Sequence, residues 1–199
     1  IVLEAQARIS ALQALIRPHF LFNSMNTIAS LTRTDPRQAE EAVEDLSDLL
    51  RANLNTAKNR TSLKQELETA AIYQRIEKLR LGDRLRVRWD VQDLPMRALI
   101  PSLTIQPLLE NAIYHGIELL PDGGEVVVSG KRDGKELLIS MSNPVATGTE
   151  RSKQGNRMAM NNIRQRFELA YGNRASVEVS NESDRFTVNL RFPLEEGEA

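Results

Sequence analysis

The segment ALIRPHFLFNSMNTI (residues 14–28) decides how the fold of this chain is interpreted. Its apolar spacing is that of a helix, yet Pro18 lies in its middle and His19 stands among large apolar residues. A histidine in this setting is a buried structural residue, a metal ligand or a nucleophile. The chain has one other histidine and no cysteine, so a zinc site is the weakest of the three.

The amino-acid composition is that of a globular protein and argues against binding to the nucleic-acid backbone. Of the 199 residues, 41% are hydrophobic and 27% are charged, and the formal net charge is −1. No basic surplus favours the nucleic-acid backbone, so we expect no direct nucleic-acid partner. The run IVLEAQARISALQ begins in mid-helix without a signal pattern. We therefore expect a cytoplasmic fragment of a longer protein.

The first third of the chain predicts a helical hairpin over residues 1–60. One helix is expected over about 2–33, kinked at Pro18, and a second begins after Asp35 as N-cap with Pro36 at its first position. The second helix carries a stripe at helical spacing, formed by Ala39, Val43, Leu46, Leu50 and Asn53. We expect two chains to pair through this stripe, Asn53 included, into a four-helix bundle. The alternative is that the stripe packs against the rest of the same chain.

Residues 61–199 have the pattern of a second, mixed domain. Two pairs of β-rich runs with turn signals between them predict two hairpins, EVVVSG with ELLISMSN and ASVEVS with DRFTVNLRF. A glycine-rich polar stretch at 143–156 predicts a long loop. We also predict a strand at 84–91 and helices at 62–81, 100–117 and 157–172. The fold class is α+β, with a helical hairpin followed by three helices over a sheet.

The segment LLENAIYHG (108–116) is the strongest local sign of chemistry. On a helix, Asn111 and His115 lie one turn apart, with Glu110 beside them. Amide and carboxylate groups among leucines cost free energy unless a partner satisfies them, and an amide oxygen suits Mg²⁺. The alternative is an amphipathic helix with a solvated polar face.

The segment GNRMAMNNIRQRF (155–167) is a weaker sign. A glycine followed by a helix N-terminus lets phosphate approach free backbone N–H groups. The alternative is an ordinary loop with a permissive hinge.

Together, PHFLFNSMNTI, LLENAIYHG and the glycine segment resemble the LytS/AlgZ-type sensor histidine kinases, in this order and over nearly the whole chain. The resemblance implies a dimerisation and phosphotransfer hairpin followed by a Bergerat-type (GHKL) ATP-binding domain. It implies ATP and Mg²⁺ as cofactors. It also implies a full-length protein in the bacterial inner membrane, attached through a region upstream of this chain.

The resemblance assigns roles to five residues of the two main motifs. His19 would be the phosphoacceptor, and a neutral imidazole is a competent nucleophile at neutral pH. Asn23, one turn further on, would orient a water for dephosphorylation or hydrogen-bond His19. Asn111 would be the Mg²⁺ ligand, Glu110 would act on the attacking group or hold water, and His115 would lie near the phosphates.

The nucleotide-binding motifs depart from the family pattern. Ser142 or Asn143 stands where the family places an adenine-reading aspartate, and the asparagine amide could still hydrogen-bond the adenine. In the lid segment Gly155 and Asn162 match the family, whereas Arg157 replaces a glycine and would either meet a phosphate or block its approach.

The implied function is a homodimeric kinase that phosphorylates His19 from MgATP. It would pass the phosphoryl group to an aspartate in the receiver domain of a LytTR-type response regulator. The altered motifs leave a second hypothesis, in which the chain is an ATP-independent module that docks or dephosphorylates the regulator. A Bergerat-type ATPase is a third hypothesis, but it leaves the histidine motif unused.

Overall fold

The computed structural model describes residues 17–55, 59–146, 150–182 and 184–197, without the side chains of 150–155. The predicted helical stretch before Arg17 lies outside these residues. The helices are α1 (Pro18–Thr34), α2 (Pro36–Leu54), α3 (Leu63–Leu81), α4 (Ile105–His115) and α5 (Glu150–Tyr171). The strands are β1 (Arg60–Ser62), β2 (Leu85–Asp93), β3 (Leu99–Pro101), β4 (Gly124–Asp133), β5 (Glu136–Pro144), β6 (Ser176–Glu182) and β7 (Arg185–Pro193).

Helices α1 and α2 form the predicted helical hairpin. The Asp35 carboxylate accepts a hydrogen bond from the Gln38 backbone N–H at 3.1 Å, and Pro36 occupies the first helical position. The predicted role of Pro18 is wrong, because Pro18 begins α1 and does not kink a continuous helix. Arg17 has the extended backbone (φ −61°, ψ 123°) that a following proline favours.

The hairpin packs against α3 of the same chain. Asn53 is fully buried there, as is Leu49, and Arg75 of α3 pairs with Asp45 of α2 at 2.8 Å. The prediction that Asn53 contributes to a dimer interface is therefore wrong, because its side chain faces its own chain. For this part of the stripe the same-chain alternative is correct. Four large apolar side chains of the hairpin stay exposed, namely Phe22, Met25, Val43 and Leu54.

A five-stranded sheet in the order β2-β4-β5-β7-β6 forms the second layer. Strands β2 and β4 are parallel, and the other neighbouring pairs are antiparallel, which confirms both predicted hairpins. Burial alternates along β5, so that Leu137, Ile139 and Met141 face the core and Asn143 continues the same face. Strands β1 and β3 form a separate two-stranded sheet.

Helices α3, α4 and α5 lie over this sheet and confirm the predicted three-helix layer. Their contact includes a cluster of aromatic rings, in which Phe192 of β7 lies 5.5 Å from Phe167 and 5.8 Å from Tyr171 of α5. Within the described residues, no helix combines the length and the apolar character needed to cross a membrane.

Two predicted boundaries are wrong. The helix predicted over 100–117 begins only at Ile105, because the preceding segment pairs as β3 and then turns. Helix α5 begins at Glu150, so the second half of the predicted loop at 143–156 is helical and residues 147–149 lie outside the described part.

Candidate functional site

A carboxylate from another helix caps the N-terminus of α4. Glu66 of α3 accepts backbone hydrogen bonds from Leu103 (2.8 Å), Thr104 (2.9 Å) and Ile105 (3.0 Å). The Thr104 side chain does not cap the helix, so Glu66 satisfies the N–H groups that a helix start leaves open. Burial raises the pKa of the Glu66 carboxyl, while these three hydrogen bonds act in the opposite direction.

The turn before α4 is strained and held from two sides. Leu103 has φ of 56°, a left-handed conformation that is costly for a branched residue. Arg166 of α5 donates to the carbonyl oxygens of Ser102 and Leu103, each at 2.6 Å. Glu66 and Arg166 therefore fix the direction in which α4 presents its polar side chains.

Asn111 is the most enclosed of these side chains, at 2% exposure. Its Nδ2 donates to Oδ1 of Asn156 on α5 at 2.5 Å, while its Oδ1 is buried without a hydrogen-bond partner among the described residues. A buried acceptor without a hydrogen-bond partner costs folding free energy unless a ligand binds to it. The open oxygen suits a hard cation such as Mg²⁺, which is commonly held by one or two protein oxygens together with phosphates and water.

Glu110 precedes Asn111 and is also buried. Gln106 donates to it at 3.0 Å, and Nε of Arg17 lies 3.9 Å from its second oxygen. Burial raises the pKa of the Glu110 carboxyl, and the Gln106 hydrogen bond and the Arg17 charge oppose that rise. A buried carboxyl with a raised pKa beside a cleft is a candidate for proton exchange.

His19 lies exposed in the first turn of α1, opposite α4. Its ring is 6.2 Å from that of Tyr114 in an edge-on arrangement. The Tyr114 ring also receives the Arg17 guanidinium at 4.9 Å and lies 4.9 Å from the His115 ring. The histidine segment and the LLENAIYHG helix, far apart in sequence, thus meet in one place.

Comparisons with known proteins place both segments in histidine kinases. A family described as "Histidine kinase" matches residues 7–85. The chain is 35% identical over 195 residues to the sensor histidine kinase BtsS of Escherichia coli, with 94% of this chain and 34% of BtsS covered. It is 32% identical over 199 residues to the sensor protein LytS of Staphylococcus saprophyticus, with the same two coverages.

The chain belongs to the LytS-type sensor histidine kinase family. It spans about a third of the length of these curated relatives.

Solved structures show the same fold. The nucleotide-free catalytic domain of the histidine kinase ThkA matches with a TM-score of 0.51 at 12% identity, covering 67% of this chain and 95% of that domain. Full-length ShkA in complex with AMPPNP matches with a TM-score of 0.50 at 16% identity, covering 100% of this chain and 46% of ShkA. The helices and mixed sheet are those of the GHKL histidine kinase catalytic domain.

In this LytS-type chain, four of the residues predicted to act on or bind the nucleotide line two separate cavities. Glu110, His115 and Asn162 line a cleft of about 670 Å³ between α4 and α5. Arg157 lines a separate cavity of about 230 Å³ against β6 and β7.

Asn143 lines neither of these two spaces; it lies near the end of β5, beside Gly116, and is 3% exposed. Its Nδ2 donates to the Pro144 carbonyl at 2.9 Å. It packs so closely under Gly116 that a Cβ there would lie 2.2 Å from Nδ2. Gly116 is therefore required for this approach. Asn23, on α1, is half-buried one turn after His19.

The phosphate site predicted at Gly155 stays a prediction, although Gly155 does not stand at the start of a helix. Gly155 lies inside α5, whose first residue is Glu150, so its backbone N–H does not belong to the open first turn of a helix. Instead the adjacent residue, Asn156, reaches Asn111.

Sequence reasoning missed three residues of this site, Arg17, Glu66 and Asn156, and it gave no role to Tyr114. A partial signal existed for Tyr114, which lies within LLENAIYHG. Glu66 and Asn156 act across separations of 37 to 39 and 45 residues, respectively, and no local pattern indicates such contacts.

Proposed function

We propose that this chain is the phosphoacceptor and ATP-binding part of a sensor histidine kinase of a two-component system. The observation that carries the proposal is the approach of the His19 segment to α4, the helix that holds Glu110 and the open oxygen of Asn111. We propose residues 1–60 as the dimerisation and phosphotransfer hairpin and residues 61–199 as the ATP-binding domain. The motifs further suggest AlgZ (FimS) as the most similar member of the family.

In the proposed reaction, bound MgATP supplies the γ-phosphoryl group. The unprotonated nitrogen of His19 attacks it, a nitrogen–phosphorus bond forms, and the bond from the γ-phosphorus to the bridging oxygen breaks to release ADP. The other imidazole nitrogen then gives up its proton. We assign to Glu110, whose pKa is raised by burial, the action on the attacking group.

The remaining roles follow the family motifs. Asn111 would hold Mg²⁺ through its open oxygen, and His115 would lie near the phosphates. The adenine would be read by Asn143, and the phosphates would be met by Gly155, Arg157 and Asn162. ShkA, which shares this fold, holds AMPPNP, and this supports a nucleotide site here.

We propose that α5 moves when nucleotide binds. Asn156 of α5 accepts a hydrogen bond from Nδ2 of Asn111, and both side chains are buried, so this part of α5 would withdraw when a metal and phosphates reach Oδ1 of Asn111. The proposal therefore includes two positions of this segment, one closed on Asn111 and one open.

The proposed partners follow from the hairpin. Its exposed apolar residues (Phe22, Met25, Val43 and Leu54) are a surface for a second copy of the chain. The receiver domain of a LytTR-type regulator would dock beside His19, with Asn23 orienting water for dephosphorylation. We propose that the chain contacts no nucleic acid directly, and that the full-length protein lies in the bacterial inner membrane with this part in the cytoplasm.

One observation favours the second function, an ATP-independent module that docks or dephosphorylates the regulator. Helix α5 is continuous through Gly155 and closed on Asn111. A chain that keeps this closed form would retain the hairpin surface without ATP chemistry.

A calorimetric titration of MgATP into the purified chain separates the two functions. The kinase proposal predicts binding tighter than about 1 mM, equivalent to roughly −4 kcal/mol. Heat indistinguishable from dilution, from a chain whose folding is verified by circular dichroism, would contradict the kinase proposal and favour the docking module.

A further inference from the structure

Arg17 joins the histidine segment to α4. Its guanidinium lies over the Tyr114 ring at 4.9 Å, and its Nε lies 3.9 Å from the Glu110 carboxylate. A cation over an aromatic face beside a buried carboxylate gains from both contacts. The side chain of Arg17 is 34% exposed and that of Glu110 is 10% exposed, so solvent screens this pair only partly.

The residues around His19 limit its movement. Phe20 is buried and packs against Tyr73 of α3, with ring centroids 4.8 Å apart. Pro18 fixes its own φ and restricts Arg17. His19 is thus held between two anchored side chains, Arg17 and Phe20, with its ring edge-on to Tyr114.

We infer that Arg17 and Tyr114 are positioning residues that dock the His19 segment on α4 of the same chain, so that His19 receives the phosphoryl group from the nucleotide held by its own chain. This inference rests on the proposed function for its phosphoryl step, but the docking itself does not. The contacts that carry it are those of Arg17 with Tyr114 and Glu110, of His19 with Tyr114 and of Phe20 with Tyr73.

The two histidines allow the docking to be measured without nucleotide. In a ¹H NMR spectrum the ring protons of His19 and His115 are assigned with His19→Gln. The ring current of Tyr114 acts on both rings, at 6.2 Å and 4.9 Å. Arg17→Gln is expected to move the His19 signals toward free-histidine values and leave those of His115 in place. Tyr114→Leu is expected to move both.

Conservative and remote variants separate docking from general destabilisation. Arg17→Lys and Tyr114→Phe keep the charge and the ring, respectively, and are expected to keep most of the His19 shift. Arg75→Gln breaks another arginine–carboxylate pair between the hairpin and α3 and is expected to leave the His19 signals unchanged. Unchanged His19 signals in both Arg17→Gln and Tyr114→Leu would overturn the docking.

Phosphorylation then tests the same-chain step. Arg17→Gln is expected to lower the rate of His19 phosphorylation about fivefold with the KM for MgATP unchanged. When His19→Gln and Asn111→Ala chains are mixed, same-chain transfer predicts no labelled product, and label on the Asn111→Ala chain would overturn it. If the wild-type chain takes no phosphate while the NMR shifts occur, the proposed function fails and the docking stands.

Discussion

Asn111→Ala is expected to lower the affinity of the chain for a nucleotide about 100-fold in the presence of Mg²⁺, and to change it little in the presence of EDTA. The Oδ1 of Asn111 is one of two buried side-chain oxygens of α4 without a hydrogen-bond partner among the described residues, the other being Oε1 of Gln106. Loss of groups that merely support metal ligands costs 10- to 100-fold in affinity, and the loss of a direct ligand lies at the upper end. Fluorescence titration with a labelled ADP analogue, with and without Mg²⁺, measures both values.

Two variants control this prediction. Asn111→Asp keeps an oxygen at the same place and is expected to retain most of the Mg²⁺-dependent affinity. Asn173→Ala removes an exposed asparagine after α5 and is expected to have no effect. An Asn111→Ala chain that binds nucleotide with unchanged Mg²⁺ dependence would show that Asn111 is not the metal ligand.

Glu66→Ala is expected to lower the free energy of unfolding by about 3 kcal/mol or more. The substitution leaves three backbone N–H groups at the start of α4 without their acceptor, and each unsatisfied buried group costs about 1–3 kcal/mol. It also removes one of the two groups that hold Leu103 in its strained conformation. Urea denaturation followed by circular dichroism measures the loss.

Glu68→Ala is the matched control for Glu66→Ala. Glu68 lies on the same helix and is exposed, and among the described residues it makes a long surface ion pair with Lys64 at 3.9 Å. Its loss is therefore expected to cost less than about 0.5 kcal/mol. Glu66→Gln keeps one oxygen acceptor and is expected to fall between the two. Equal stabilities for Glu66→Ala and Glu68→Ala would contradict the capping role.

The sequence was informative where local chemistry decides the structure. The Asp35 cap with Pro36 predicted the start of α2, and the turn signals predicted the two β-hairpins. Each of these features depends on residues close together in the chain. The motifs also led to the correct family and to the helix that holds Asn111.

The sequence was misleading where long-range packing decides the structure. Gly155 and its polar neighbours predicted a loop, because glycine costs about 1 kcal/mol inside a helix. The structure forms a helix there, and Asn156 and Met160 are buried beyond it. Asn53 continues a helical stripe that predicted a partner chain, but its side chain is fully buried within its own chain.

The role of His19 is tested most directly by the identity of the phosphorylated residue after incubation with [γ-³²P]ATP and Mg²⁺. We expect a label that is labile in acid and stable in base, as in phosphohistidine, present on the wild-type chain and absent from His19→Gln. A His19→Gln chain that keeps the label, or a wild-type chain that binds MgATP and stays unlabelled, would contradict the assignment of His19 as the phosphoacceptor.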